Sequence, residues 1–163
     1  MGLKEIFEVS KPRIIILLVI TAVTSMYAGS KLVGPEISYL EILHIIVAGS
    51  LASAGSSALN HFYDKDIDLK MKRTSNRPIP SGRIKDTTVL IYGLGISIAS
   101  VIYAALIINY LCAFFVALGI FFYVIIYTVW LKRLNSSNIV IGGFAGSLHP
   151  WLDGRQLPGQ WTF

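Results

Sequence analysis

Charge is scarce in this chain of 163 residues: Asp, Glu, Lys and Arg make up only 14%, where a soluble domain carries about 25%. A water-facing surface on so short a chain needs more ionised groups than that, so composition argues strongly against a soluble enzyme. Cysteine is nearly absent as well. The single Cys112 rules out an intrachain disulfide framework and a Cys-based zinc site, and its place in an apolar run reads as a buried, inert thiol. Polar tracts are missing and 12% of the residues are aromatic, which excludes disorder as the general state.

What the chain has in excess is apolar residues, 54% of the total. A helix that crosses a bilayer needs about 20 of them in a row, fewer where flanking side chains snorkel. Four stretches qualify, at about 14–29, 39–59, 89–108 and 111–131. The expected fold class is an all-α polytopic membrane protein with about four transmembrane helices in a lipid bilayer. Asn109-Tyr110 is the only break between the third and fourth stretches and predicts a tight helical hairpin. The segment Met1–Arg13 mixes Glu5 and Glu8 with Lys4, Lys11 and Arg13 and has no small-residue cleavage site. It predicts an amphipathic lead-in and not a removable signal, with Pro12 suited to the first turn of a helix.

Basic residues set the expected orientation. Lys4, Lys11 and Arg13 precede the first span; Lys65, Lys70, Lys72, Arg73, Arg77, Arg83 and Lys85 separate the second from the third; Lys132 and Arg133 follow the fourth. An alternating topology puts all of these on one side and Lys31 on the other. The positive-inside rule then predicts a multi-pass protein of the cell membrane with its N-terminus and its 60–88 loop in the cytoplasm. The net charge of +5 is thereby read as a topology signal, and no nucleic-acid partner is expected.

The second span is rich in small residues from Ala48 to Ala58. Such a run lets helix backbones approach closely in lipid; a sharper reading, compatible with the first, is that the missing side chains leave room for a bulky apolar ligand. His44, alone on the same span, reads as a hydrogen-bonded core histidine before a metal or haem ligand.

Chemistry concentrates just beyond that span. Asn60, Asp64 and Asp68 are spaced i, i+4, i+8, so a helix that continues past the membrane places them in one stripe. Two carboxylates that close repel unless something positive lies between them. Mg²⁺ suits the position, as a hard cation that takes a few carboxylates plus phosphate oxygens. The plainer alternative is a wet helix whose acids balance nearby bases, but ionisable groups where an apolar helix leaves the membrane are functional candidates by default. Asp66 points away from the stripe and is expected to be solvated. Arg73, Arg77 and Arg83 follow, with forked donors that suit a diphosphate, and Pro78, Pro80 and Gly82 shape a loop.

Asn60-x-x-x-Asp64-x-x-x-Asp68-x-x-Met71-x-Arg73-Thr74-x-x-Arg77-Pro78 resembles the first aspartate-rich motif of the intramembrane prenyltransferases, within them the protohaem IX farnesyltransferase (haem O synthase) branch. Lys11-Pro12-Arg13, Tyr127-Thr128-x-Trp130-Leu131-Lys132-Arg133 and Asn138-Ile139-Val140-Ile141-Gly142-Gly143 agree with it, so the likeness runs from about Lys11 to Gly146. The resemblance implies the N-terminal half of a bundle of about nine helices. It further implies that Mg²⁺ on the aspartates holds farnesyl diphosphate, whose allylic cation is captured by a vinyl group of protohaem IX to give haem O. By position, Asp64 and Asp68 are the catalytic metal residues and Asn60 a metal and diphosphate residue. Arg73 and Arg77 are diphosphate contacts. Lys132, Arg133 and Tyr127 have a supporting role at the diphosphate or, equally, serve as interfacial anchors. Two alternatives stay open: a quinone precursor or lipid alcohol as acceptor, and a non-catalytic membrane remnant or interaction protein.

The family's second aspartate-rich motif has no counterpart in the chain. Residues 147–163 have no helical period and depart from the family pattern. A frame starting at the third base of the Leu148 codon permits Pro-Pro-Leu-Ala-Gly-Trp, which looks like the family's continuation. The expectation is a tail derived from a frameshift and impaired activity in the short chain.

Overall fold

The computed structural model describes residues 2–33 and 37–131, and every regular element among them is helical. The lead-in is a helix of its own, α1 (Leu3–Ser10), and α2 (Pro12–Val33) begins on Pro12, where the missing N–H goes unused. Lys11 joins them in the left-handed conformation, at φ 51° and ψ 65°. It is the only non-glycine residue with positive φ among the described residues, a conformation that costs an L-residue about 1–3 kcal/mol.

The central helix is α3 (Tyr39–Tyr63), which packs against α1, α2 and the two helices that follow the loop. Ser38 and Glu41 close a capping box at its start: the Ser38 N–H donates to Glu41 Oε2 at 2.9 Å, and the Leu40 N–H donates to Ser38 Oγ at 3.3 Å. At its other end only Asp64 separates it from a short helix, α4 (Lys65–Lys70). After the loop, α5 (Asp86–Tyr103) runs on as a π-helical segment over Ala104–Ile108. Asn109 then breaks the helix in an extended conformation, and its side chain accepts from the Cys112 N–H at 2.6 Å to cap α6 (Tyr110–Phe121). This is the hairpin expected at Asn109-Tyr110. A second π-helical segment, Phe122–Leu131, continues α6.

Among the described residues four helices are long and apolar enough to cross a membrane: Pro12–Lys31, Tyr39–Tyr63, Asp86–Ile108 and Tyr110–Trp130. The described residues therefore adopt the expected all-α fold with four such spans. Large apolar side chains such as Leu17, Ile20, Ile91, Ile98 and Phe114 point outward, as on helices whose surroundings are lipid.

The small residues of α3 serve close packing on the α5 side. A Cβ on Gly55 would lie 2.7 Å from the Ser97 nitrogen, and one on Gly93 would lie 3.1 Å from the Leu59 nitrogen, so the two backbones nearly touch. On the opposite side Gly49 has open space. It borders a cavity of about 20 Å³ between α2, α3 and α6, lined by Leu18, Ala22, Ile45 and Val116, which has no room for a bulky ligand. Cys112 is buried at its edge. His44 Nδ1 meets the Tyr103 hydroxyl at 2.7 Å, as a core histidine should.

Candidate active site

Helical hydrogen bonding carries across the junction of α3 and α4. The Asp64 N–H donates to the Asn60 carbonyl at 2.9 Å, and the Asp68 N–H donates to the Asp64 carbonyl at 2.8 Å. Asn60, Asp64 and Asp68 thus share one face, as their spacing predicted, and that face is turned inward: they are 3%, 1% and 2% exposed. Asp66 is exposed on the other side.

Buried carboxylates persist only where donors or cations meet them; here the donors to the carboxylates are near in sequence, and the amide beside them is held from distant parts of the chain. Both oxygens of Asp68 accept from Arg77 Nη1, at 2.9 and 2.7 Å. Asp64 Oδ2 accepts from Asn60 Nδ2 at 2.9 Å. The second Nδ2 hydrogen goes to Thr128 Oγ1 at 3.1 Å, and Asn60 Oδ1 accepts from Lys11 Nζ at 2.8 Å. Thr128 gives its own proton to the Tyr123 carbonyl five residues back, at 2.8 Å, which leaves its lone pairs for Asn60. The π-helical winding is what brings Thr128 round to this face.

The loop after α4 selects among the arginines. The Thr74 hydroxyl donates to the Asp68 carbonyl at 3.1 Å, the Thr74 N–H donates to the Met71 carbonyl at 2.9 Å, and the Arg77 N–H donates to the Thr74 carbonyl at 3.0 Å. These turns fold the chain back so that Arg77 reaches Asp68, while Arg73 stays exposed. Arg83, which the sequence grouped with these two as a diphosphate donor, is engaged elsewhere: its fork grips both oxygens of Glu8 at 2.7 and 3.0 Å and donates to the Asn76 carbonyl at 2.6 Å. The Arg83 hydrogen bond, opposed by burial and aided by the charges of Arg83 and Lys4, holds the Glu8 carboxyl below its ordinary value of 4.5. This pair ties α1 to the motif loop, and Ser10 Oγ, 3.0 Å from the Tyr92 hydroxyl, ties it to α5.

Tyr127 is half-buried one residue from Thr128 and stacks on Tyr123, with ring centroids 5.7 Å apart and planes at 13°. Lys132, Arg133 and the 147–163 tail lie outside the described residues. Two members of the site escaped the sequence reading of roles, Lys11 and Thr128. Both stand in the flanking segments that carry the family likeness, which was the available signal.

Among the described residues no group of three or more His, Cys, Asp or Glu side chains converges on one point. The donor set on the buried face, two carboxylates beside an amide, offers oxygen. It fits Mg²⁺, which takes one or two carboxylates with the rest of its shell from water and phosphate, and it does not suit zinc, which seeks nitrogen or sulfur.

The sequence profile of the UbiA prenyltransferase family matches residues 17–153. A protein named protoheme IX farnesyltransferase 1 from Cenarchaeum symbiosum is 64% identical over 155 residues, 93% of this chain and 52% of its own length. Protoheme IX farnesyltransferases from Gluconacetobacter diazotrophicus and Beijerinckia indica are each 44% identical, over 91% and 99% of this chain and 46% and 49% of theirs. The chain spans about half the length of the curated relatives it matches. No solved structure matches it.

Proposed function

The chain belongs to the UbiA prenyltransferase family, a membrane protein of that bundle type, and from that premise we propose that it serves haem farnesylation. The reaction is transfer of the farnesyl group of farnesyl diphosphate to a vinyl group of protohaem IX, giving haem O. The observation that carries this reading is the inward face of Asn60, Asp64 and Asp68 with Arg77 against it. The choice of acceptor rests on the names of the relatives.

A diphosphate leaves only when its charge is neutralised, and fixed cations act most strongly where water is excluded. Asp64 and Asp68 would hold Mg²⁺, which supplies that neutralisation when bound. Arg77 offers a planar fork next to the same carboxylates, suited to diphosphate oxygens. Arg73, exposed in the same loop, meets the diphosphate on the solvent side. Asn60 steadies Asp64, and Lys132, Arg133 and Tyr127 support the diphosphate from the end of the fourth span. The surrounding bilayer accommodates the farnesyl chain and shields an allylic cation from water. The seven basic residues between Lys65 and Lys85 hold this face in the cytoplasm.

Membranes of a host that lacks haem farnesylation, carrying the expressed protein, should form haem O from protohaem and farnesyl diphosphate when Mg²⁺ is present, with a lower yield per molecule than the longer Cenarchaeum symbiosum relative, as read by mass spectrometry. Undiminished conversion by Asp64→Ala and Asp68→Ala proteins would overturn the site. Farnesylation of a quinone precursor with protohaem untouched would overturn the acceptor.

A further inference from the structure

We infer that Lys11 is a positioning residue: its ammonium fixes the amide of Asn60 in one orientation, and through that amide it holds the Asp64 carboxylate in place. The inference deepens the reading of Asp64 as part of a metal and diphosphate site and rests on it for its catalytic meaning.

Three observations carry it. Lys11 Nζ lies 2.8 Å from Asn60 Oδ1, and Asn60 Nδ2 lies 2.9 Å from Asp64 Oδ2. A lysine ammonium can only donate and a carboxylate can only accept. Both neighbours therefore demand the same amide orientation, with oxygen toward Lys11 and nitrogen toward Asp64. The amide is 3% exposed with Thr128 on its remaining hydrogen, so each of its polar atoms has a protein partner. The third observation is the backbone of Lys11, the only non-glycine residue at positive φ among the described residues. A strained conformation persists where the surroundings over-determine it, and such residues cluster at functional sites. Here the left-handed turn between α1 and α2 sends a side chain 49 positions away in sequence to the inward face of α3.

The arrangement also defines the role of Asn60. One lone pair of its oxygen takes the Lys11 proton, and its nitrogen is turned to Asp64. Asn60 therefore acts on Asp64 as a donor that orients a ligand, the part that outer-shell partners play around metals.

The test reads the amide directly. The chain is labelled with ¹⁵N at asparagine and studied in detergent micelles without metal, the Asn60 side-chain signal being assigned by its loss in Asn60→Ser. In the wild type that signal should exchange with water at least about tenfold more slowly than the signal of exposed Asn76, as hydrogen bonds to charged partners imply. Lys11→Met should shift it and remove most of the protection, and Lys11→Arg should restore both. An Asn60 signal unchanged by Lys11→Met overturns the proposal. Should that variant lose its fold, seen as collapse of the Asn109 signal, Asp64→Asn reads the link from its other end, and an unchanged Asn60 signal there overturns it equally. Mg²⁺ added to the wild type separates the two readings. A saturable shift of the Asn60 signal supports the metal site, and its absence counts against the metal site alone.

Discussion

The two ends of α3 solve the same problem by opposite means. At the Tyr39 end, polar groups find partners within three residues: Ser38 and Glu41 satisfy each other's backbone. At the Tyr63 end, Asn60 draws on Lys11 from 49 positions away and on Thr128 from 68, while Asp68 depends on Arg77 after a loop. A local cap fails by itself when one residue changes. The far end is a joint among α1, α3, the loop after α4 and the fourth span, so a single change there strands a buried charge or amide.

The sharpest way to break the comparison is to remove a carboxylate. Asp64→Ala or Asp68→Ala should lower haem farnesylation by about 10²–10³-fold, the range seen when one group that stabilises developing charge is removed. Ser38→Ala should cost only helix stability, about 1 kcal/mol, with turnover per inserted molecule unchanged. Haem O yield normalised to protein in the membrane separates the two, and comparable losses of turnover would erase the distinction between the ends.

The arginines of the loop sharpen it further. Arg77→Ala leaves Asp68, 2% exposed, without its charged partner and should destabilise the protein by about 1–3 kcal/mol, the penalty for stranding a buried acceptor. Arg73→Ala removes an exposed side chain and should stay within about 0.5 kcal/mol. Thermal unfolding in detergent measures both, and equal shifts would mean that the loop does not select Arg77.

Much of this was legible in the sequence, and what was not has a physical reason. The four spans, the break at Asn109 and the shared face of Asn60, Asp64 and Asp68 follow from hydrophobic run length and helical spacing, which are local quantities. The choice of Arg77 over Arg73 and Arg83 follows from hydrogen-bonded turns between Met71 and Ser81, and three arginines in one loop look alike until those turns are known. Lys11 and Thr128 were harder still. One depends on a left-handed backbone and the other on π-helical winding, and residue type signals neither.

Within α3 itself, glycines give a matched pair. Gly55→Ala puts a Cβ 2.7 Å from the Ser97 nitrogen, a backbone atom that cannot step aside, and should cost about 1–3 kcal/mol by overpacking. Gly49→Ala meets open space and should gain about 0.5–1 kcal/mol from helix propensity. Unfolding midpoints of the two variants on either side of the wild type would confirm that α3 is tight toward α5 and slack toward α2 and α6.

The smallest effect belongs to the outermost tie of the far end, the Glu8–Arg83 pair that fastens α1 to the motif loop. Its side chains are 38% and 35% exposed, so water and salt weaken it and its contribution is slight. Its sign is nevertheless definite. The Arg83 hydrogen bond keeps the Glu8 carboxyl below 4.5 in the folded protein, whereas the unfolded chain titrates near that ordinary value. The folded state therefore binds fewer protons over this window, and the stabilisation is fully present above 4.5 and lost as the pH falls through the lowered folded value. Wild type should melt slightly above Glu8→Gln at neutral pH, the gap closing as acid protonates Glu8 and narrowing also with added salt. A gap that widens on acidification would mean that Glu8 is held by something other than the charge of Arg83.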